Sequence, residues 1–420
     1  MIEWSETDLA VQEAVRQFVD AEIRPIREEL EFGELPPYGV LRKLWKTFGL
    51  DAMLGDSIDQ LLAKERARAE SGEPASPRDA GASSPMGAQG SMGVVLIKEL
   101  CRVSPGLIGA MGVSLGLGAA TILARGTLAQ KERWVKDIVT LDKVAAWALT
   151  EPGAGSDAFG SMKTYVKRDG DGYVLNGSKT FISNGPYADT IVVYAKLDDG
   201  EADARSRKVL TFVLDTGMAG LTQGRPFRKM GFHSSPTGEL FFDDVRLERD
   251  RLLGETEEHE GGDGRDSAKT GFVAERTGIA VMALGIIEEC LDQCVHYART
   301  RIQFERPIGD YQLVQLKLAR MEIARVNVQN MVFRTLEMAA AGKQPTLAEA
   351  SAMKLYSSEA ATEVAMEAVQ LFGGNGYMSE YPLEQLARDA KSLMIYAGAN
   401  EIQATHIAKG LLAGEAPASA

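Results

Sequence analysis

The chain has 420 residues, of which 45% are hydrophobic and 25% charged, a composition typical of a globular protein. That length can hold roughly two to three domains of ordinary size. The formal net charge of −13, from 46 basic and 59 acidic residues, argues against broad attraction to nucleic acid or to an anionic membrane. The 3 cysteines and 4 histidines show no metal-ligand spacing, so we expect reduced thiols and no metal site.

The printed sequence also lacks the usual targeting and membrane signals. Its N-terminal residues show no basic segment followed by an apolar core, so we expect no signal peptide. No stretch approaches the ~18–20 consecutive apolar residues that a membrane span needs. We therefore expect a cytoplasmic protein that neither spans a membrane nor binds nucleic acid.

The first part of the chain, residues 1–145, has apolar residues at helical spacing. Ser5 is placed to cap a first helix, in which Leu9, Val15 and Phe18 share one face. Further helical patterns run through 38–50, 93–102, 107–125 and 129–138. These patterns predict an N-terminal helical domain.

Residues 66–91 interrupt the helical pattern. They are rich in Ala, Gly, Ser and Pro and contain few large apolar side chains. Such a segment buries too little apolar surface to offset the entropy of ordering the chain. We therefore expect a flexible insert in the N-terminal domain, with outer limits at about 54–91.

The hydrophobic period changes between residues 146 and 255. Short runs rich in β-branched and aromatic residues, bounded by turn signals, predict several strands and hence a β-sandwich or barrel-like middle domain. From 268 to 420 long helical runs alternate with Gly and Pro, which predicts a C-terminal bundle of the four-helix type. The predicted fold class is mainly α with a central β domain.

Five segments carry chemical signals, each of them weak by itself. The Gly-rich turn ALTEPGAGSD at 148–157 exposes backbone N–H groups and hydroxyls, which suits a pyrophosphate or the edge of a flavin ring. The strand KTFISNG at 179–185 ends with an aromatic residue and a hydroxyl. The remaining segments are YARTRIQF from 297, QLFGGNGY from 370 and IYAGANEIQ from 395.

Taken together, in this order and in this three-part layout, the five segments resemble the acyl-CoA dehydrogenase family over nearly the whole chain. The resemblance implies FAD-dependent α,β-dehydrogenation of an acyl-CoA thioester to the 2-enoyl-CoA, with electrons passed to an electron-transfer flavoprotein. It also implies a homotetramer or a heterotetramer. The FAD would lie between the β domain and the C-terminal bundle, and a neighbouring subunit would complete the site around its adenine end.

The resemblance assigns cofactor roles to individual residues. It places Thr150 at the flavin ring edge and Ser156 at the pyrophosphate. Phe181 would lie beside the flavin ring, and Ser183 near its N5 and O4 atoms. Further cofactor positions, most of them in segments that clasp the FAD of the adjacent subunit, are Arg301, Phe304, Gln312, Gln370, Leu371, Gly374, Ala399 and Glu401. For Thr150, Ser156, Arg301 and Gln312, a capping or surface role is the alternative interpretation.

The reaction requires a carboxylate that removes the acidic α-proton. In many family members this carboxylate precedes the glycine of the last motif, where this chain has Ala397. A minority, resembling isovaleryl-CoA and long-chain acyl-CoA dehydrogenases, carry it on the long helix before the Arg301 motif. An ungapped match to these enzymes puts Glu275 at that position. The substrate-binding residues that the resemblance implies are Arg276, Tyr396, Ala397 and Gly398, with the backbone N–H of Ala397 holding the thioester carbonyl.

The helical phase around Glu275 supports the same assignment. Glu275, Ile279, Met282 and Ile286 follow one face of a helix, so the carboxylate shares an apolar stripe. Desolvation on such a face would raise its pKa towards values useful for catalysis. The alternative is a solvated glutamate in the first turn of a helix, which is a common arrangement.

The sequence departs from the family at several positions. Glu305 stands where glycine is usual, and Gln385 replaces a basic residue. Ala399 replaces a threonine near the flavin, and Ala404 replaces an arginine.

Two other functions therefore stay open. One is a flavin oxidase or desulfinase on the same scaffold. The other is a non-catalytic subunit of a heteromeric acyl-CoA dehydrogenase, which Ala397 and Ala399 favour and Glu275 argues against.

Overall fold

A computed structural model describes residues 3–33, 35–71, 90–200, 203–259 and 262–414. The N-terminal part is helical. Its helices are α1 (Glu6–Phe18), α2 (Arg27–Phe32), α3 (Tyr38–Thr47), α4 (Leu50–Ser71), α5 (Gly90–Cys101), α6 (Pro105–Gly112), α7 (Ala120–Arg125) and α8 (Leu128–Val139). Ser5 caps α1 as predicted, because its hydroxyl accepts a hydrogen bond from the backbone N–H of Asp8 at 3.1 Å.

Helix α4 differs from the expected insert. Leu54, Ile58 and Leu62 recur at helical spacing and are buried, and α4 packs against α8. An ion pair of 2.8 Å between Glu65 and Lys131 ties the two helices together. The expectation of a flexible insert was therefore wrong for residues 54–71, because three well-spaced apolar residues suffice to dock a helix. The remainder of the expected insert, up to 89, lies outside the described residues.

The middle of the chain forms one seven-stranded sheet. Its strands are β1 (Ala145–Ala148), β2 (Tyr165–Asp169), β3 (Gly172–Ser183), β4 (Thr190–Leu197), β5 (Val209–Asp215), β6 (Leu221–Gln223) and β7 (Thr237–Leu247). Strands β1 and β2 pair in parallel with β4, and β5 pairs antiparallel with β4. Strand β3 then connects β2 to β7, and β6 completes the edge.

Strand β4 is buried on both faces, and its side chains alternate between two cores. Val192 and Tyr194 pack into the large core that the sheet shares with the helices. Ile191, Val193 and Ala195 pack into a second core inside the β domain. Because side chains of a strand alternate in direction, one apolar run supplies both layers.

The C-terminal part is again helical and confirms the fold class of a mainly α protein with a central β domain. A short β hairpin interrupts it. The elements are α9 (Gly264–Thr300), β8 (Ile302–Gln303), β9 (Arg306–Pro307), α10 (Gln312–Ala340), α11 (Leu347–Phe372), α12 (Leu383–Leu393) and α13 (Asn400–Leu412). Helix α9 packs against α10, α11 and α5, so it connects the bundle to the N-terminal domain.

Two helical stretches, Pro105–Arg125 and Gly264–Thr300, are long and apolar enough to cross a bilayer. The expectation that no stretch approaches this length was therefore wrong. More than half of each apolar window is buried inside the protein, as in the core helix of a globular protein. The three cysteines are also buried and unpaired, which agrees with the expected thiols.

A buried network of charges joins α5 to α9. Lys98 lies 2.8 Å from Glu288, and Arg102 lies 2.8 Å from Glu289. Glu99 is buried as well and pairs with Lys98 at 3.1 Å. Breaking such a pair leaves an uncompensated buried charge, so the network fixes how α9 lies against the N-terminal domain. Helix α9 carries Glu275, and its placement positions the site.

Candidate active site

Glu275 lies about three turns after the first residue of α9, so it is not a first-turn glutamate. The residues that share its helix face, Ile279, Met282 and Ile286, are buried as the pattern predicted. Burial raises the pKa of Glu275 from its ordinary value of 4.5 to about 7, against the opposing effect of two nearby cations, Arg276 and Lys354. A carboxylate with this pKa can accept a proton near neutral pH.

Arg276 is buried beside Glu275. Its Nη1 atom donates a hydrogen bond to the hydroxyl of Ser351 on α11 at 3.0 Å. Its guanidinium lies over the ring of Phe272, 5.5 Å from the centroid. Burial lowers the pKa of Arg276 from its ordinary value. The arginine therefore lies beside Glu275 in the chain without forming a direct ion pair with it, and its guanidinium is held by Ser351 and Phe272.

The turn between α12 and α13 lies beside these charges and has a left-handed backbone. Ala397 has φ of 55° and Gly398 has φ of 84°. The side chain of Gln403 donates to both carbonyl oxygens, at 3.1 Å and 2.7 Å. The backbone N–H of Ala397 has no acceptor within the described residues, which leaves it available to a bound carbonyl oxygen.

The side chain of Tyr396 packs against Met282 and Phe232 next to the turn. Its hydroxyl donates to the sulfur of Met282 at 3.3 Å, and its ring lies 5.8 Å from that of Phe232. Burial raises the pKa of the Tyr396 phenol, and the nearby Glu275 charge acts in the same direction. The phenol therefore stays protonated, and its role is packing rather than acid or base catalysis.

A buried ion pair supports the Gly-rich turn from beneath. Lys179 and Glu151 are both buried, with Nζ and Oε1 2.9 Å apart. The carboxylate of Glu151 also accepts the backbone N–H groups of Lys163 and Thr164, at 2.6 Å and 2.9 Å. Both members of the pair stand inside motifs that the sequence singled out, yet neither was predicted as a site residue. Only the tertiary structure, which brings the two motifs into contact, identifies Glu151 and Lys179 as a pair.

Thr150 and Ser156 lie on this supported turn. The carbonyl oxygen of Thr150 accepts the backbone N–H of Thr180, which joins the turn to β3. Ser156 is exposed, and the neighbouring glycines, Gly153 and Gly155, face open space. An exposed hydroxyl between open glycines is a fitting cradle for a pyrophosphate.

Phe181 and Ser183 stand at the end of β3, where the pairing with β7 shifts register. Phe181 has φ of 57° and is 68% exposed as a residue, and its ring lies 5.8 Å from the ring of Phe227. Such a strained, exposed aromatic residue is typical of a ligand-facing position. Asn184, with φ of 63°, anchors this strand end by donating to the carbonyl oxygens of Ala110 and Ala145.

The two segments expected to reach an adjacent FAD meet at one end of the bundle. Tyr297 on α9 stacks on Phe372 at 4.0 Å, and the side chain of Asn375 donates to the Tyr297 hydroxyl at 3.1 Å. In the chain, Arg301 follows Tyr297 by one helical turn, and Gly374 lies between Phe372 and Asn375. The remaining predicted residues of the two segments are Phe304, Gln312, Gln370 and Leu371.

The hairpin formed by β8 and β9 projects outward. Phe304 is 89% exposed with φ of 51°, and Glu305 has φ of 67°. A left-handed backbone favours glycine, which is the usual residue at this position in the family that the sequence resembles. Glu305 adopts that backbone with a Cβ, and nothing in the structure explains the substitution. In the described part of the chain, no hydrogen bond joins this hairpin to Glu275 or to Phe181. The hairpin is instead held by Tyr311, whose hydroxyl donates to the carbonyl oxygen of Gln303 at 3.1 Å.

The last cofactor positions lie at the start of α13. Ala399 precedes the helix and Glu401 is exposed in its first turn. Ala404 is exposed on the same helix. Gln385, on α12, is buried and donates to the carbonyl oxygen of Val103 at 3.0 Å, so its neutral amide fits a position that is closed to solvent.

Comparison with known proteins identifies the family of this chain. The acyl-CoA dehydrogenase N-terminal, middle and C-terminal domain models match residues 77–142, 146–245 and 262–412. An acyl-CoA dehydrogenase of Bacillus subtilis (strain 168) is 34% identical, over 98% of this chain and 99% of its own length. This chain belongs to the acyl-CoA dehydrogenase family. Members of the family are FAD flavoproteins and oxidoreductases acting on the CH–CH group of acyl-CoA.

Solved structures of the acyl-CoA dehydrogenase family share the fold. Butyryl-CoA dehydrogenase from Megasphaera elsdenii has a TM-score of 0.80 at 31% identity, covering 98% of this chain and 100% of its own. A glutaryl-CoA dehydrogenase from Mycobacterium smegmatis, in complex with FADH2, has a TM-score of 0.78 at 25% identity, covering 98% and 96%. The cradle around Thr150, Ser156 and Phe181 fits the FAD that this acyl-CoA dehydrogenase family uses.

Proposed function

We propose that this acyl-CoA dehydrogenase removes the α-proton and the β-hydrogen of an acyl-CoA thioester, giving the 2-enoyl-CoA, with Glu275 as the base. The observation that carries the proposal is the position of Glu275. Its carboxylate is partly buried on α9, has a pKa raised to about 7, and interacts electrostatically with two cations and with the phenol of Tyr396. Such a group is poised to take a proton at neutral pH.

The backbone N–H of Ala397 would hold the thioester carbonyl oxygen. Negative charge develops on that oxygen as the α-proton leaves, and a fixed N–H donor stabilises it without reorganisation. Because this donor acidifies the α-carbon, a base of modest strength suffices. Alanine at this position leaves space for the thioester where other family members have a carboxylate. The Ala397 side chain is therefore compatible with a base that approaches from α9.

The residues Thr150, Ser156, Phe181 and Ser183 would hold the FAD on the β-domain side. When bound, FAD supplies the two-electron acceptor that takes the β-hydrogen as hydride. The exposed Phe181 ring would cover one side of the flavin and limit the access of water. Ala399 and Glu401 would contribute from the start of α13.

We propose that a second copy of the chain completes this site in a tetramer. Helix α10 exposes four large apolar residues, and the outward hairpin exposes Phe304. The four residues on α10 are Leu313, Leu316, Ile323 and Val326. Apolar side chains grouped on one exposed helix support an interface between subunits. Arg301, Gln312, Gln370, Leu371 and Gly374 would then reach the neighbouring FAD. The resemblance further supports an electron-transfer flavoprotein as the acceptor.

The test is anaerobic bleaching of the purified yellow protein with a panel of acyl-CoA thioesters that differ in chain length and branching. Glu275→Gln keeps the size and hydrogen bonding of the side chain but removes the base. It should retain FAD and reduce it at least ~10²–10⁴-fold more slowly with the best substrate. Glu132→Gln, which changes a surface glutamate paired with Arg66, should react as the wild type does.

Equal rates in Glu275→Gln and wild type would refute the assignment of the base. Bleaching with no acyl-CoA on the panel would favour a non-catalytic subunit. Rapid reoxidation of the reduced wild type by oxygen would favour a flavin oxidase.

A further inference from the structure

We propose that Lys354 is a positioning residue of the active site, which holds the turn at 397–398 and supplies a positive charge that keeps Glu275 able to ionise. The inference rests on the proposed function, because that function gives the turn and Glu275 their roles. Lys354 lies on α11, outside the five sequence motifs.

The contacts of Lys354 connect three parts of the bundle. Its side chain is fully buried, and Nζ donates to the carbonyl oxygen of Gly398 at 2.9 Å and to Oδ1 of Asn400 at 2.8 Å. The amide of Asn400 donates in turn to the hydroxyl of Ser358, on α11, at 3.1 Å. Lys354 therefore ties α11 to the turn and to the start of α13.

The turn requires such a tie because its backbone is strained. Ala397, with φ of 55°, is a residue with a Cβ in a left-handed conformation, which is unfavourable for an L-residue. The direction of its backbone N–H depends on that conformation. Gln403 holds the turn from the α13 side, and Lys354 holds it from the α11 side. Without Lys354, the carbonyl oxygen of Gly398 keeps only the hydrogen bond from Gln403. The turn therefore loosens but stays attached to α13.

The charge of Lys354 has no direct ion-pair partner among the described residues. Lys179 offers the contrast, since that buried lysine lies 2.9 Å from the carboxylate of Glu151. Lys354 instead donates to neutral carbonyl and amide oxygens. A buried cation is costly unless an anion lies within electrostatic reach. Glu275 is the nearby carboxylate whose ionisation Lys354 favours most directly, because each group shifts the pKa of the other.

The charged surroundings of Glu275 come from three helices and the turn. Arg276 on α9 and Lys354 on α11 lower its pKa, and the phenol of Tyr396 faces it from the turn. Glu401 on α13 and Glu359 on α11 favour the charged form of Lys354, and burial together with Arg276 lowers the pKa of His406 on α13. Without Lys354, Arg276 is the one cation left among those that lower the pKa of Glu275.

The test uses the FAD-loaded protein and compares Lys354→Met, Lys354→Arg and the surface control Lys43→Met, whose wild-type partner is Glu22. Anaerobic flavin reduction by the best acyl-CoA is measured across pH. In Lys354→Met the rate at the optimum should fall ~10–100-fold, because the backbone N–H of Ala397 that would donate to the thioester carbonyl is displaced. The acid limb of the profile should move upward by roughly one pH unit or more because a cation is lost.

Lys354→Arg should separate the two effects. It keeps the charge, so the acid limb stays near its wild-type position, while the different head group disturbs the turn and lowers the rate. Lys43→Met should match the wild type in both measurements. A wild-type rate or an unmoved acid limb in Lys354→Met overturns the proposal.

Two further measurements keep the proposal testable. If Lys354→Met does not yield a folded flavoprotein, Asn400→Ala removes one of the two acceptors and keeps the charge. The rate of flavin reduction in Asn400→Ala should fall while the acid limb stays unmoved. An unchanged rate overturns the proposal that Lys354 holds the turn. The carboxyl titration of Glu275 by infrared difference spectroscopy, with Glu275→Gln as the blank, needs no substrate. It should move upward in Lys354→Met even if no acyl-CoA bleaches the wild type, an outcome that would refute only the proposed function.

Discussion

Glu275→Gln should make this acyl-CoA dehydrogenase more stable above neutral pH, although it removes the catalytic base. The folded protein holds the proton of Glu275 with a pKa of about 7, whereas the unfolded chain holds it with the ordinary value of 4.5. A raised folded pKa contributes stability that is fully present below pH 4.5 and is lost as pH rises through about 7. Glutamine mimics the protonated acid and does not ionise, so the variant avoids this loss.

The magnitude follows from the difference between the two pKa values. At ~1.4 kcal/mol for each pH unit, the difference between about 7 and 4.5 corresponds to about 3.5 kcal/mol as an upper value. The free energy of unfolding is measured by urea denaturation at fixed excess FAD, at about pH 5 and about pH 8. The stability of Glu275→Gln relative to wild type should rise between the two conditions by roughly 2–3 kcal/mol.

The surface variant Glu132→Gln provides the control for this measurement. Its carboxylate is solvated and paired with Arg66 at the surface, so the expected change between the two pH values is well under ~1 kcal/mol. If Glu275→Gln shows the same small change, the carboxylate is solvated in the folded protein. The argument for a base with a raised pKa would then fail as well.

Three further predictions follow from other parts of the structure. Lys179→Met should lower the free energy of unfolding by about 3 kcal/mol in urea denaturation, at the low end for a broken buried pair because Glu151 keeps two backbone donors; no loss would mean that the pair is hydrated. Leu62→Ala should cost about 2–5 kcal/mol in the same assay because Leu62 is buried in the core, and an unchanged midpoint would show that α4 does not pack. Arg301→Ala should lower FAD content or dissociate the oligomer, measured by absorbance and light scattering, since a charged hydrogen bond contributes ~1.5–3 kcal/mol; a fully flavin-loaded, stable wild-type monomer would contradict it.

The sequence alone predicted the features that depend on local spacing. Helical and strand periods predicted the order of a helical region, a β domain and a helical bundle, because those periods are set by backbone geometry. Glu275 shares a helical face with the apolar residues Ile279 and Met282, so the helical period also predicted that its carboxylate lies on a buried face. Local composition failed at α4, where the Ala-, Gly- and Ser-rich stretch that follows concealed the apolar face of Leu54, Ile58 and Leu62.

The tertiary structure decided the features that depend on distant segments. Lys354 is 79 positions from Glu275 in the chain (354 − 275), and no spacing rule connects them. The ion pair between Glu151 and Lys179 forms because the Gly-rich turn folds over β3. The pKa of Glu275 likewise depends on which helices exclude water from it and which cations they bring near. Desolvation and charge pairing act through space, so the electrostatics of the site exist only once the helices and the sheet have packed.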